Sequence, residues 1–285
     1  MSGCLHVVAT PIGNLEDMTY RAVRILQDVD LIAAEDTRHS RRLLDHYGIR
    51  TALISYHEHN ERERSEQLVA RLEAGESLAL ISDAGTPGIA DPGYRLVRRC
   101  HQTGIAVVAV PGPSALVAAL SISGLPTDRF RFIGFLPPKS QARKNVLYDI
   151  KAETQTCVCY ETPHRLLACL EDMVELLGGA REVAIARELT KTHEELFHGC
   201  VEEALHSFSE RRVRGELVVL IGPAEQQKPQ GTVRDALLRL RTETELNWKE
   251  IVKQVAKEYA VASRDVYRES LDLRHHDSAT PDSER

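Results

Sequence analysis

Short runs of β-branched and aliphatic residues alternate with amphipathic segments along the first 120 residues of the chain. The runs that predict strands lie at 5–9, 31–35, 53–56, 78–82 and 105–110. Between two of these runs, residues 61–74 have the apolar spacing of a helix, with Asn60 as the expected N-cap. Strands that alternate with helices predict an α/β unit with a mainly parallel sheet.

The pattern changes after residue 122. Further strands are predicted at 130–136, 156–161, 182–188, 195–199 and 216–222. The short separation of 182–188 from 195–199 predicts an antiparallel pair, because a parallel crossover needs a longer connection. We therefore expect an N-terminal α/β domain over 1–121 and a second α/β domain with a mixed sheet over 122–223.

The last part of the chain has helical periodicity. Residues 223–231 have the composition of a linker, and 232–273 are predicted to form a small helical extension. Asn247 and Glu250 have the spacing of a capping box, and a further helix is predicted to begin at Ser263. A helix-turn-helix-like unit and a plain helical hairpin fit this pattern equally well. We expect fraying from residue 274 onward.

Composition is that of an ordinary globular protein. Of the 285 residues, 42% are hydrophobic and 27% are charged, which is enough to bury a sizeable core in two compact units. No apolar run approaches the roughly 18 residues of a membrane span, and the amino terminus lacks a leader pattern. The six cysteines have no CxxC spacing and predict reduced thiols rather than a metal site. We expect a cytoplasmic protein that does not bind membranes.

Charge argues against generic affinity for nucleic acid. The formal net charge is −6, whereas binding to a phosphate backbone requires clustered Lys and Arg. Only local basic clusters could contact RNA, and they lie at 41–42, 98–99, 139–144 and 211–214. Each of them is, taken alone, more typical of a solvated face.

Glycine and proline are concentrated where predicted strands end. The segments 10–19, 82–93 and 110–115 each follow a strand directly. Carboxyl ends of parallel strands meet at one edge of a sheet, where ligands bind and glycines let backbone approach them closely. Tight turns alone would account for any single segment, but three together predict a ligand cleft. No phosphate loop and no G-x-G-x-x-G are present, which disfavours a nucleoside triphosphatase or a Rossmann dehydrogenase.

Seven motifs together resemble the tetrapyrrole methylase superfamily, and within it the branch that acts on ribosomal RNA. They lie at 8–19, 33–38, 82–93, 110–115, 123–130, 161–165 and 186–195. The resemblance covers nearly the whole chain. It implies two α/β domains with S-adenosylmethionine between them, and methyl transfer to the ribose 2′-oxygen of a cytidine in 16S ribosomal RNA. The implied partners are small-subunit RNA or the assembled 30S subunit, and a second copy of the chain in a homodimer.

The resemblance also implies which residues bind the cofactor. In the first domain they are Pro11, Asp83, Ala84, Gly85, Thr86, Ser114 and Ala115. In the second domain they are Tyr160, Glu161, Arg187, Glu188 and Leu217.

Methyl transfer from a sulfonium is an in-line displacement, so positioning carries much of the rate. A ribose hydroxyl also needs a base, or a cation that stabilises the developing alkoxide. Glu35, Asp36 and Arg38 follow a predicted strand and are our candidate catalytic residues. A helix start capped by Asp36 accounts for the same residues equally well. His57 and His59 lack a third ligand at usable spacing, and we expect no metal.

Two other functions share these features. One is a methyltransferase of the same superfamily that acts on a porphyrin-like ring or a protein side chain. The other is a non-catalytic ribosome assembly factor that retained the fold. Cofactor binding without turnover on any subunit would favour the second.

Overall fold

The computed structural model describes residues 3–225, 231–259 and 261–277. Its strands are β1 (Cys4–Val8), β2 (Leu31–Ala34), β3 (Leu53–Ser55), β4 (Leu78–Ile81), β5 (Ala106–Val110), β6 (Phe130–Phe135), β7 (Thr156–Glu161), β8 (Glu182–Arg187), β9 (Glu195–Cys200) and β10 (Leu217–Ile221). Its helices are α1 (Tyr20–Asp28), α2 (Thr37–His46), α3 (Glu61–Glu73), α4 (Tyr94–Gln102), α5 (Ala115–Ile122), α6 (Ser140–Asp149), α7 (Leu166–Leu177), α8 (Val201–Ser209), α9 (Val233–Glu243), α10 (Trp248–Glu258) and α11 (Ser263–Asp277). All ten predicted strands are present.

The first sheet is parallel, as the alternation of strands and helices predicts. Its strand order is β3-β2-β4-β1-β5. β2 and β4 are buried along their whole length, because helices cover both faces of the sheet centre. All five carboxyl ends therefore lie at one edge of the sheet, where the loops that carry candidate site residues begin.

The second sheet is mixed, with the order β6-β7-β10-β8-β9. β6 and β7 are parallel, whereas β10 runs antiparallel to both β7 and β8. β8 and β9 form the predicted antiparallel pair. The prediction of an α/β fold with a parallel first sheet and a mixed second sheet is confirmed.

Helix α5 packs on the second sheet. Ala119 and Leu120 are buried in one apolar cluster with Val158, Ala184 and Val218. The helix directly follows β5 of the first sheet, so it connects the two halves of the core, each of which is built on one sheet. The domain boundary at residue 122 stays a prediction.

Residues 225–285 form a separate compact unit, and residues 1–224 form the other. Its described part holds α9, α10 and α11 around their own apolar core. The predicted capping box is present, since Asn247 Oδ1 accepts a hydrogen bond of 3.0 Å from Glu250 N. A third helix, α9, is present in addition to the two that the pattern marked. Residues 226–230 of the predicted linker, and the predicted fraying beyond residue 277, lie outside the described residues.

The expected side-chain cap at Asn60 is absent. Asn60 is the N-cap residue of α3 but makes no capping hydrogen bond to the helix. Its Oδ1 instead accepts a bond of 2.9 Å from His57 N, which closes the loop after β3. None of the helices in the described ranges is long and apolar enough to cross a membrane.

Candidate functional site

The three glycine- and proline-rich loops of the first sheet are tied to one another. Thr10 and Gly85 exchange two backbone hydrogen bonds of 2.9 Å. Thr86 Oγ1 donates a bond of 3.3 Å to the carbonyl oxygen of Pro113. Gly85 has φ of +79°, which a glycine adopts without strain. The loops therefore form one continuous backbone surface at the carboxyl edge of the sheet.

A cavity of about 320 Å³ lies against this surface. The first half of the core lines it with Ile12, Ala84, Gly85, Thr86, Ile89, Ala90, Asp91, Ser114 and Ala115. The second half lines it with Phe135, Tyr160, Glu161, Thr162, Pro163, Ala186, Leu189, Gly215, Glu216, Leu217 and Val218. Its volume is within the range of small-molecule sites, which begins at about 300 Å³.

The mixed sheet explains how distant segments meet at this cavity. β10 is antiparallel to its neighbours, so its first residue lies at the edge where β7 and β8 end. Leu217 is accordingly paired with Glu161 on one side and with Arg187 on the other.

Eight of the twelve predicted cofactor residues line the cavity. They are Ala84, Gly85, Thr86, Ser114, Ala115, Tyr160, Glu161 and Leu217. The other four lie outside the lining, and they are Pro11, Asp83, Arg187 and Glu188.

Comparison with known proteins agrees with this geometry. The family model of "Tetrapyrrole (Corrin/Porphyrin) Methylases" matches residues 4–205. The chain belongs to the tetrapyrrole methylase family. It is 47% identical over 275 residues to ribosomal RNA small subunit methyltransferase I of Synechocystis sp., covering 95% of this chain and 98% of that protein.

A second relative is equally similar. The protein of the same name from Escherichia coli O157:H7 is 47% identical over 273 residues, which are 95% of each chain. Among solved structures, uroporphyrin-III C-methyltransferase from Thermus thermophilus, in complex with S-adenyl homocysteine, superposes with a TM-score of 0.53. That likeness covers 77% of this chain and 97% of the other, at 20% identity, and supports the tetrapyrrole methylase fold.

In this member of the tetrapyrrole methylase family, Arg187 and Glu188 support the cavity from outside. Arg187 Nε pairs with Glu195 Oε2 at 2.9 Å. Glu188 Oε1 accepts hydrogen bonds from Lys191 Nζ at 2.8 Å and from Glu216 N at 3.0 Å. The bond from Lys191 lowers the pKa of Glu188, against the opposing effect of burial. Side chains alternate along a strand, so Ala186 faces the cavity and Arg187 does not.

Strained backbone flanks the cavity. The non-glycine residues with positive φ in the described chain are Ala90, Glu188 and Thr190, at 63°, 52° and 66°. Ala90 lines the cavity, and Leu189, which lies between the other two, does so as well. Such conformations cost about 1–3 kcal/mol each and are concentrated at functional sites.

Gly215 is required where β10 begins. It has φ of +86°, and a Cβ there would come within 2.3 Å of Cγ and Cδ of Glu188. The close approach lets the Glu188 carboxylate accept the bond from Glu216 N.

The three predicted catalytic residues occupy different environments. Asp36 is the N-cap of α2, and its Oδ1 accepts bonds from Arg38 N at 2.8 Å and from His39 N at 3.3 Å. These bonds lower the pKa of Asp36. Arg38 is exposed in the first helical turn. The helix-start interpretation of Asp36 is thus confirmed.

Glu35 has the electrostatics of a proton acceptor at neutral pH. Burial, and then the charges of Asp91, Asp83, Asp36 and Glu58, raise its pKa from 4.5 to about 7. Glu35 lies outside the cavity lining, but Asp91, the strongest of its carboxylate neighbours, lies within it. A base is most effective when its pKa is close to the working pH.

Asp91 is a lining residue that sequence reasoning missed. Burial raises its pKa from 3.8 to about 6, with a further increase from Asp83 and an opposing hydrogen bond from Ser82. It lies in the 82–93 motif together with Ile89 and Ala90, so the motif could have identified all three.

Ile12, in the 8–19 motif, was missed in the first half, and the other missed residues come from the second half, including Ala186 in the 186–195 motif. Phe135 ends β6, Leu189 lies within the 186–195 motif, and Thr162 and Pro163 lie within the 161–165 motif. Gly215, Glu216 and Val218 required knowledge that β10 is antiparallel.

Two further groups of polar side chains are Lys191 with its carboxylate partners, and the pair His57 and His59. Lys191 Nζ pairs with Glu188 and also with Glu216 Oε2 at 3.0 Å, so one cation is shared between two carboxylates and a net negative charge remains. His57 and His59 have ring centroids 6.0 Å apart. Within the described ranges, no group of three or more His, Cys, Asp or Glu side chains is arranged to hold a metal ion.

Proposed function

We propose that this chain transfers a methyl group from S-adenosylmethionine to the ribose 2′-oxygen of a cytidine in 16S ribosomal RNA. The observation that carries the proposal is the cavity between the two sheets, into which eight residues chosen from family motifs converge. The relatives that bear the name ribosomal RNA small subunit methyltransferase I support the choice of substrate.

The residues of the cavity fit the proposed cofactor. Small side chains and backbone of Ala84, Gly85 and Ala115 leave room for an adenosine, and Ile12 and Leu189 supply apolar contact. Asp91 and Glu216 add negative charge to the wall, which complements a sulfonium cation. When bound, the cofactor would supply an electrophilic methyl group.

Tyr160 contributes an aromatic wall to the same cavity. Its ring lies edge-on to Phe135 with centroids 5.5 Å apart, and to Phe132 at 5.1 Å. Burial raises the pKa of Tyr160, so its hydroxyl stays protonated at neutral pH and is able to donate a hydrogen bond. We assign Tyr160 and Phe135 to holding the cofactor's flat base.

Glu35 is our proposed base, and Arg38, in the first turn of α2, is the proposed cation. A carboxylate with a pKa of about 7 is partly ionised at neutral pH. It can therefore accept the proton of the ribose hydroxyl and release it again. Asp36 positions Arg38, because its capping bonds fix the first turn of α2. The chemistry then depends on alignment of the ribose oxygen with the methyl carbon.

Methyl incorporation into small ribosomal subunits tests this function. Labelled S-adenosylmethionine is supplied to subunits, and separately to naked 16S RNA, from cells that lack the protein, and the nucleosides are analysed by mass spectrometry. We expect 2′-O-methylated cytidine. Cofactor binding without label in either RNA would reject the substrate, and porphyrin-like rings and protein acceptors would then be tested.

We further propose a homodimer. Val117 and Ile122 of α5 and Phe130 of β6 are exposed by 59%, 43% and 44%, an apolar surface that a partner copy would cover. Light scattering on the purified chain measures the mass directly, and a monomer at micromolar concentration would reject the dimer.

We also propose a cytoplasmic location. All six cysteines are free thiols, which suits a reducing compartment. Fractionation of cells that express the chain, followed by detection in the cytosolic fraction, tests this.

A further inference from the structure

A second, more open cavity adjoins the first. It has a volume of about 570 Å³ and is lined by the turn at 163–164, by Leu167 and by the segment 211–215. Pro163 and Gly215 line both cavities, so the two are continuous along one edge of the second sheet.

The charge of the second cavity is opposite to that of the protein. Arg211, Arg212, Arg214 and His164 line it, and no carboxylate does. The chain as a whole has a net charge of −6. The first cavity, by contrast, has Asp91 and Glu216 in its wall. The first cavity therefore favours a cationic ligand, and the second cavity favours an anionic ligand.

Two of the arginines are free to bind that anion. Arg211 pairs with Glu195 and lies over the ring of Phe208, 4.6 Å from its centroid. Arg212 and Arg214 are exposed, and neither guanidinium has an ion-pair partner among residues 3–225, 231–259 and 261–277.

The segment 211–215, which carries both arginines, is held in place by side chains of β8 and β9. Arg187 Nη1 donates a hydrogen bond of 3.2 Å to the carbonyl oxygen of Arg214, and Arg187 also pairs with Glu195. Glu195 in turn binds Arg211, so one carboxylate anchors both ends of the segment. The backbone of the segment is therefore already held before a ligand binds, which favours affinity.

We propose that Arg212 and Arg214, assisted by His164, bind a backbone phosphate of the RNA strand next to the nucleotide that is methylated. The inference rests on the proposed function and adds a substrate-binding site to it. Arginine binds phosphate oxygens through paired N–H groups, and such contacts fix the register of a strand without reading its sequence. With the phosphate held there, the neighbouring ribose reaches the first cavity.

The test compares the double variant R212A/R214A with R50A/R129A, which removes the same charge elsewhere. Arg50 and Arg129 are exposed and precede β3 and β6, so they lie at the sheet edges opposite the cavities. Steady-state methylation of small subunits, binding of S-adenosylmethionine by calorimetry and binding of a single-stranded RNA oligonucleotide by anisotropy are measured for each.

We expect R212A/R214A to raise KM for the subunit by about tenfold and to weaken oligonucleotide binding similarly. Affinity for S-adenosylmethionine and kcat at saturating subunit should stay within about twofold of wild type, since the arginines contact neither reacting atom. The slope of log affinity against log salt should fall by about 0.7 for each phosphate that the variant no longer binds. R212K/R214K should recover only part of the affinity, because lysine binds phosphate as a point charge but lacks the paired N–H groups of arginine.

Equal KM and equal RNA binding in R212A/R214A and R50A/R129A would overturn the inference. Methylation of subunits by wild type in the same experiment would leave the proposed function intact. Loss of kcat alone would overturn the inference too. If wild type methylates no RNA but R212A/R214A loses affinity for the carboxylate-rich uroporphyrin, the pocket binds a ring substrate, and both proposals fall.

Discussion

The backbone N–H of Asp36 donates a hydrogen bond of 3.1 Å to Oδ1 of Asp83. The bond joins the loop after β2, which carries Glu35, to the loop after β4, which lines the cavity. Asp83 itself lies outside the lining, so we expect it to influence the proposed cofactor through the position of its neighbours.

Two variants of Asp83 distinguish the effect of its hydrogen bond from the effect of its charge. We expect D83A to weaken S-adenosylmethionine binding about fivefold, because a hydrogen bond of this kind contributes about 1 kcal/mol. D83N keeps an acceptor oxygen and should bind nearly as wild type does. Calorimetry measures both, and an equal decrease in the two variants would mean that charge, and not the bond, matters.

Glu35 should control the pH dependence of the reaction. With a pKa of about 7, it must lose its proton before it can accept another, so kcat/KM should rise with pH through about 7. E35Q should lower kcat by about 100-fold and remove this limb of the profile. An unchanged limb in E35Q would assign it to another group. D83N, which removes a nearby negative charge, should move the midpoint to lower pH.

The same shift predicts that Glu35 reduces stability at alkaline pH. Its pKa is about 7 in the folded protein and 4.5 ordinarily, so the folded state holds the proton more tightly. The stability gained from that proton is lost as pH rises from 4.5 to 7. E35Q should therefore exceed wild type in free energy of unfolding by about 1–2 kcal/mol at pH 8, allowing for solvent screening, and by less at pH 5. Urea titrations at the two pH values provide the comparison, and a constant difference would contradict it.

Asp36 should be structural rather than catalytic. D36N retains an N-cap oxygen, and we expect turnover within about threefold of wild type. D36A removes the cap and should lower Tm by about 2–4 °C. A D36N variant that folds normally but has lost its turnover would return Asp36 to the catalytic group.

A variant of Gly215 tests the close contact between this residue and the Glu188 side chain at the rim of the cavity. G215A should destabilise the fold by about 1–3 kcal/mol and weaken cofactor binding, because its Cβ would displace Glu188. Gly48 is the matched control, since it has φ of +68° and no atom within 4 Å of an added Cβ. G48A should cost about 1 kcal/mol from backbone strain alone and leave cofactor affinity intact. Similar cofactor affinities in the two variants would contradict the role of Gly215.

Local pattern was sufficient for the strands and insufficient for their order. Runs such as 78–82 and 156–161 are bounded by glycine, proline or polar residues, so their limits could be predicted to within one residue. The insertion of β10 between β7 and β8 depends on packing between residues far apart in sequence. Gly215 and Glu216 were missed for that reason.

Motif resemblance located the site loops but not the direction of each side chain. Ala84 to Thr86 were predicted and line the cavity, because a tight loop exposes successive residues to one ligand. Arg187 lies in the less specific 186–195 motif, and strand alternation turns it outward to Glu195. Asp91 was passed over although it lies in the 82–93 motif, because its burial close to Asp83 is not visible in the sequence.

The proposed reaction would also change the protonation of the Asp91 carboxylate. Its pKa of about 6 would be lowered by a sulfonium in the cavity and would return once the sulfur has given up its methyl group and its charge. Binding of the donor would thus release protons near pH 6, and formation of the uncharged product would take them up again. The balance between fresh and spent cofactor on the protein would then depend on pH, with acidity favouring retention of the spent form.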